Sequence, residues 1–250
     1  MSLQEYYAAR APEYDRVYHK PERQHDLRAI EQWVREQFAG ARVLEIACGT
    51  GYWTQFIAQT AAQVVALDLT PQTLGIARSR ATRDNVIFEI GDAYAPGRNA
   101  RGHDAAFAGF WLSHVPVARR GDFLCALHAA LEPGAKVVML DNLFVAGSSS
   151  AISERDADGN TYQIRQLSDG TKHRVLKNFP SRSELLSLAQ RSGHRATVIR
   201  WQYYWAMQYF TDAGRGRSIG GSSKGRTSDF DSGNRGSNPR PPTTRGHRVR

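Results

Sequence analysis

The run Glu45-Ile46-Ala47-Cys48-Gly49-Thr50-Gly51 places two glycines one residue apart, directly after a short apolar stretch. A turn without side chains lets a ligand approach the backbone and the N-terminus of a following helix. It does not name the ligand. A dinucleotide fingerprint needs G-x-G-x-x-G, and counting from Gly49 and Gly51 the third position is Thr54. Asp68 follows Gly51 by 17 positions and ends the next apolar run, where a carboxylate can accept two hydrogen bonds from vicinal ribose hydroxyls. A solvated acid in a helix-start turn is the duller reading. His114 closes Phe110-Trp111-Leu112-Ser113-His114. It can act as a general base on a hydroxyl or orient a substrate, and it can equally be a structural histidine at a helix start. Cys48 reads as a small loop residue, and Cys125, inside a predicted helix, as core rather than nucleophile.

Positioning these residues is the work of alternating strands and helices, which favours an α/β layer fold with a mainly parallel sheet. The spacing of Leu27, Ile30, Trp33, Val34 and Phe38 predicts an amphipathic helix over 25–38. Strands are expected at 42–47, 63–67, 86–90, 104–111 and 135–140. Helices are expected at 52–60, at 71–83 behind Thr70 as N-cap and Pro71, and at 117–131. Two short alternating segments, 162–167 and 173–179, flank Asp169-Gly170 as a hairpin. Ser181 to Glu184 form a capping box opening a helix to about residue 191, and the β-branched and aromatic stretch 197–205 reads as a closing strand.

Glu45-Ile-Ala-Cys-Gly-Thr-Gly51 resembles the E/D-x-G-x-G-x-G motif of class I S-adenosylmethionine-dependent methyltransferases, with Ala47 in place of the first glycine. Asp68, Gly91-Asp92-Ala93 and Leu131-Glu-Pro-Gly-Ala-Lys-Val-Val-Met139 match that family's later motifs in order, so the resemblance covers about residues 6–209. It implies a three-layer, Rossmann-like, seven-stranded sheet, parallel except for an antiparallel last strand, with S-adenosylmethionine as cofactor and no metal. It also implies a site of Tyr14, Glu45, Ala47, Gly49, Gly51, Asp68, Asp92, Ala93 and Phe110. In it Glu45 lies near the methionine amine, Asp68 holds the ribose and Asp92 meets the adenine amino group. His114 is the catalytic candidate. Tyr6-Tyr7-Ala-Ala-Arg-Ala-Pro-Glu-Tyr14 resembles the aromatic lid of small-molecule and quinone methyltransferases, with Tyr14 its best contact. The expected reaction moves a methyl group to an oxygen, nitrogen or carbon of a small molecule. Neither the [D/N]-P-P-[Y/F] motif nor the Pro-Cys nucleophile of nucleic-acid methyltransferases is present. In the insert 144–178, Arg165, Lys172, His173, Arg174 and Lys177 can meet an anionic substrate or simply form a solvated hairpin face.

With 250 residues, 27.9 kDa, 41% hydrophobic residues, two cysteines and a mean hydropathy of −0.51, the chain is neither collagenous, disulfide-stapled nor wholly disordered. No apolar stretch reaches membrane-spanning length and the first residues lack a signal-peptide core, so a cytoplasmic protein without a membrane partner is expected, monomeric or homodimeric. The net charge of +9 is concentrated. Residues 214–250 carry nine Lys/Arg against two acids, eight glycines and few large apolar side chains, which predicts a disordered basic tail on a nearly neutral domain of 1–213 with its lid at 1–24. Gly236-Ser237-Asn238-Pro239 can be encoded by a transfer-RNA T-arm, so one reading of the tail is translation past a natural stop. The rival is an Arg/Gly-rich extension that binds nucleic acid and makes the protein RNA-binding or RNA-modifying. A nucleotide-binding module without methyl chemistry is the other alternative.

Overall fold

The apolar runs ending near Ile46, Leu67, Ala108 and Leu140 have no polar alternation to present to water, so each becomes a central strand covered on both faces. The computed structural model describes residues 3–97 and 100–213; the predicted basic tail lies outside them. The chain opens with helix α1 (Leu3–Arg10), a 3-10 segment at Ala11–Tyr18 and a 3-10 turn at Pro21–Arg23, which leads into α2 (Gln24–Gln37). There follow β1 (Arg42–Ile46), α3 (Thr54–Ile57), β2 (Gln63–Asp68), α4 (Pro71–Arg80), β3 (Val86–Ile90), β4 (His103–Gly109), α5 (Arg120–Ala129) and β5 (Leu131–Asn142). The insert forms β6 (Glu154–Arg155), β7 (Thr161–Gln166) and β8 (Lys172–Leu176), and α6 (Arg182–Ser192), β9 (His194–Arg200) and β10 (Tyr204–Phe210) close the fold.

The main sheet has the order β3-β2-β1-β4-β5-β10-β9. β10 runs antiparallel to both of its neighbours, so the six other strands share one direction and the last alone opposes them. This is the expected sheet. The strand order reverses between β1 and β4, and a crevice opens at their carboxyl ends, where open α/β sheets take ligands. One apolar core lies between the sheet and α2, around Leu27, Ile30, Phe38 and Phe107. The other lies on the opposite face, around Leu44, Phe123, Leu127 and Trp205.

Four expectations change. The single closing strand expected at 197–205 is two strands, β9 and β10, because the chain reverses at Trp201-Gln202-Tyr203, where Trp201 N–H donates to Tyr204 O at 2.9 Å. Cys125 is exposed and free, not core, since α5 turns Phe123, Leu124 and Leu127 inward. The helix expected at 52–60 shrinks to one turn, and the hairpin gains a third, short strand, β6. The Ser181–Glu184 capping box forms as expected.

The N-terminal segment is fastened over the crevice. Asp15 makes an ion pair with Arg80 of α4 and accepts from the Thr50 hydroxyl at 2.7 Å, while Arg80 donates to Thr50 O at 2.8 Å. Tyr18 stacks between Tyr52, at 3.5 Å and 4°, and Phe110, at 5.7 Å and 19°. Tyr6 packs with Leu167 and Val175, which joins α1 to the hairpin sheet. The hairpin is itself tied to the main sheet: Asn178 N–H donates to Ser113 O, and Lys177 forms a buried ion pair with Asp141 at the end of β5.

Candidate active site

At the carboxyl edge, Gly49 and Gly51 have φ of 56° and 73°, the left-handed conformation that glycine enters without steric cost. At Gly51 any side chain would also press on α4, because a Cβ there would sit 3.0 Å from Ala77. Ala47 occupies the same region at φ 52°, and Phe110, just beyond β4, at φ 59°. Non-glycine residues pay for that conformation, and such strain concentrates where a ligand is held. Both turn the chain at the mouth of a cavity of about 310 Å³.

Asp68 anchors one wall. Its Oδ2 accepts from Gly49 N–H at 2.9 Å, and its Oδ1 accepts from Thr70 N–H at 2.8 Å and from the Thr73 hydroxyl at 3.1 Å. The carboxylate therefore holds the glycine loop against the start of α4 and keeps one lone-pair direction on Oδ2 for a further donor. Thr70 is the N-cap by position, but its side chain does not cap α4.

His114 is oriented by a short bond. Its Nδ1 lies 2.6 Å from Leu176 O, a pure acceptor, so Nδ1 carries the proton and Nε2 presents its lone pair, 3.0 Å from the Tyr7 hydroxyl. Burial, then the positive charges of Lys177 and Arg165, hold its pKa well below the ordinary histidine value, and Asp141 only partly opposes them. The imidazole is thus neutral near pH 7 and able to accept a proton. Burial pushes the Lys177 ammonium down to about 8 despite its 2.8 Å contact with Asp141.

The structure gathers Tyr14, Ala47, Gly49, Asp68, Ala93, Phe110 and His114 around this cavity. Three expected residues lie outside its lining. Gly51 packs on α4. Asp92 turns its Oδ1 back to Tyr94 N–H at 2.9 Å, leaving its neighbours Gly91 and Ala93 to line the wall. Glu45 is 1% exposed beneath the loop, with Oε2 lacking a hydrogen-bond partner among the described residues. Burial drives its pKa up to about 8. The sequence reading missed Tyr7, Thr73 and Trp111; for Tyr7 the aromatic N-terminal run was the available signal, whereas Thr73 and Trp111 follow only from the turns after β2 and β4. Of the five insert cations only Arg165 and Lys177 face inward; Arg174 pairs with Glu154 at 2.8 Å on the outside.

Residues 43–134 match the family described as Methyltransferase domain. The ubiquinone biosynthesis O-methyltransferase of Xanthomonas axonopodis pv. citri (strain 306) is 31% identical over 171 residues, 66% of this chain and 67% of that protein. The chain belongs to the S-adenosylmethionine-dependent methyltransferases. Among solved structures, DhpI in complex with SAH overlays with a TM-score of 0.69 at 29% identity, covering 85% of this chain and 96% of that one. The DhpI-SAM-HEP complex overlays at 0.65 with 30% identity, covering 83% and 99%. The methyl donor of this methyltransferase is S-adenosylmethionine, its acceptor is a small molecule, and its sheet is the Rossmann-like fold of the family. No helix among the described residues is long and apolar enough to cross a membrane.

The residues present suit the donor. The orphaned, buried oxygen of Glu45 lies beneath a loop whose backbone is open on its cavity side, and Asp68 offers a charged acceptor on the same wall.

Proposed function

We propose that this methyltransferase acts on an oxygen nucleophile, a hydroxyl of a small molecule, and that His114 Nε2 takes the proton from it. The observation that carries this reading is the fixed tautomer of His114 at the cavity wall: Nδ1–H is committed to Leu176 O, and the neutral Nε2 accepts from the Tyr7 hydroxyl at 3.0 Å, a bond that an acceptor hydroxyl would replace. A base is of most use to an oxygen acceptor, whose proton must leave as the new bond forms. The Xanthomonas relative, whose printed name is that of an O-methyltransferase, supports the same assignment.

Asp68 would hold the ribose hydroxyls, Ala93 and the Gly91 backbone the adenine edge, Tyr14 and Phe110 the faces of the ligand, and Glu45 the methionine amine. The bound donor supplies an electrophilic methyl sulfonium, so the chain's task is to orient the two reactants, exclude water and hold the proton. The Asp15–Arg80–Thr50 clasp keeps the N-terminal segment across the crevice, and the Tyr52–Tyr18–Phe110 stack closes it from one side.

The acceptor atom is tested by incubating the full chain with methyl-labelled S-adenosylmethionine and a panel of small alcohols, phenols and amines. Labelled methyl ethers are expected. Label appearing only in N-methyl or C-methyl products overturns the oxygen assignment.

A second expectation concerns Glu45. Without ligand its carboxyl is protonated between pH 4.5 and about 8, and a cationic amine brought beside it favours the carboxylate. Donor binding at pH 7 should therefore release up to one proton. The binding enthalpy of S-adenosylmethionine should differ between PIPES and Tris and become buffer-independent in Glu45→Gln; a wild-type enthalpy that is already buffer-independent contradicts the placement.

A further inference from the structure

Beside the donor cavity lies a second one of about 340 Å³, walled by the N-terminal segment, the chain after β5 and the hairpin. We propose that this second cavity is the acceptor subsite and that it selects a small molecule bearing an oxyanion, phosphoryl or carboxylate, held by Arg10, Lys20, Arg23 and Arg165. This rests on the methyl-transfer reading above and adds the chemical class of the acceptor.

Several cations of this cavity have no carboxylate within ion-pair distance among the described residues. Arg23 is 3% exposed, yet its guanidinium meets only neutral groups: Asn142 Oδ1 at 2.9 Å, Ser148 Oγ at 3.0 Å, Ser149 Oγ at 3.5 Å, and the rings of Tyr203 and Tyr204 at 5.1 and 5.6 Å. A buried cation without an anion is costly, and retention of one is explained when a ligand supplies the anion. Arg165 donates to neutral Gln163 Oε1, and Lys20 donates to the Ser148 carbonyl. Among the described residues none of Arg10, Lys20, Arg23 and Arg165 forms an ion pair with a carboxylate. The acids around the cavity are engaged: Glu13 by Arg16, Asp141 by Lys177, and Glu22 by the Ser148 hydroxyl at 2.7 Å, with its charge only partly offsetting Lys20 and Arg23.

The two cavities adjoin. Lys177 lines the cationic cavity and its Nζ lies 6.0 Å from the Phe110 ring, which lines the donor cavity. Arg10 lies 5.1 Å over the ring of Tyr14, another donor-cavity wall. An acceptor anchored by its anion can therefore present a hydroxyl toward Phe110 and His114. His114 faces Tyr7 on α1, Asp141 on β5, and Lys177 and Arg165 on the hairpin side, and an anion beside those two cations offsets the field that weakens His114 as a base. A volume of about 340 Å³ suits a small molecule rather than a polymer. The polar, cationic lining is also unsuited to a long apolar side chain.

The test is titration of the full chain, saturated with S-adenosylhomocysteine and also free of it, with inorganic phosphate, malonate and uncharged malonamide. Saturable binding of an anion is expected, with none of malonamide. It should be weakened at least about 10-fold in Arg165→Gln and further in the Arg10→Gln/Arg165→Gln pair, with affinity for S-adenosylhomocysteine unchanged. Tighter phosphate points to a phosphoryl acceptor and tighter malonate to a carboxylate; both support the proposal. No saturable anion binding, or anion binding indifferent to both variants, overturns it. Loss of S-adenosylhomocysteine binding by wild-type chain would instead strike the methyl-transfer reading beneath it.

Discussion

Asp68→Ala is expected to weaken S-adenosylhomocysteine binding by about 100-fold. The one lone pair left on Asp68 can accept a ribose hydroxyl, and a hydrogen bond to a charged group contributes about 1.5–3 kcal/mol, the upper end of which corresponds to two orders of magnitude in Kd. The same substitution frees the glycine loop, because Gly49 N–H and Thr70 N–H lose their acceptor, while the Thr73 hydroxyl keeps Thr70 O at 2.8 Å. Asp68→Asn separates the two effects. Its amide oxygen can still accept one backbone bond while the charge is gone, so affinity should fall by about 10-fold with the fold intact. The variants are read by calorimetric titration and by thermal unfolding. Near-wild-type affinity in Asp68→Ala would remove the carboxylate from the donor site.

His114→Asn should act on the other half of the reaction. Loss of a general base lowers turnover by about 10²- to 10⁴-fold. Donor affinity should hold, because the proposed role of His114 is toward the acceptor hydroxyl and not toward any group of the donor. The pH profile supplies a signature that a purely structural histidine would lack. The protonated imidazole cannot accept, so wild-type kcat/KM, which follows the free enzyme, falls as pH falls through the pKa of His114. Burial and the nearby Lys177 and Arg165 set that pKa well below 6.5, so the acid limb should lie well below the ordinary histidine range. A limb at or above 6.5, or a turnover loss under about 10-fold, contradicts the assignment. The same depressed pKa makes the folded state bind fewer protons than the unfolded chain. His114 therefore contributes stability that is full above 6.5 and is lost as pH falls toward its folded pKa.

Much of the candidate site is legible in the sequence because its signals are local. Glu45 through Gly51, Asp68 and Gly91 to Ala93 each sit where an apolar run stops, and a parallel sheet must bring those stops to one edge. What the sequence could not display is conformation and long-range assembly. Nothing in the letters marks Ala47 and Phe110 as left-handed. Asp92 has the composition of a ligand-facing acid, but a local Asx turn to Tyr94 claims it. The reversal at Trp201-Gln202-Tyr203 contains neither glycine nor proline, so two strands read as one. Cys125 sits in Phe123-Leu124-Cys125-Ala126-Leu127, a run apolar on every side, which hides the face that α5 exposes. The cationic cavity was hardest to see. Arg10, Arg23 and Arg165 are far apart in the chain, and their lack of counter-charge emerges only when the hairpin folds onto the N-terminal segment.

The central claim is a division of labour: Asp68 holds the donor and His114 serves the acceptor. The most direct measurement is calorimetric titration of S-adenosylhomocysteine, with NAD as control, into the full chain and into Asp68→Ala and His114→Asn side by side. Wild type and His114→Asn should bind it alike and ignore NAD, while Asp68→Ala binds about 100-fold more weakly. Equal binding by all three, or loss of binding in His114→Asn, would contradict the account.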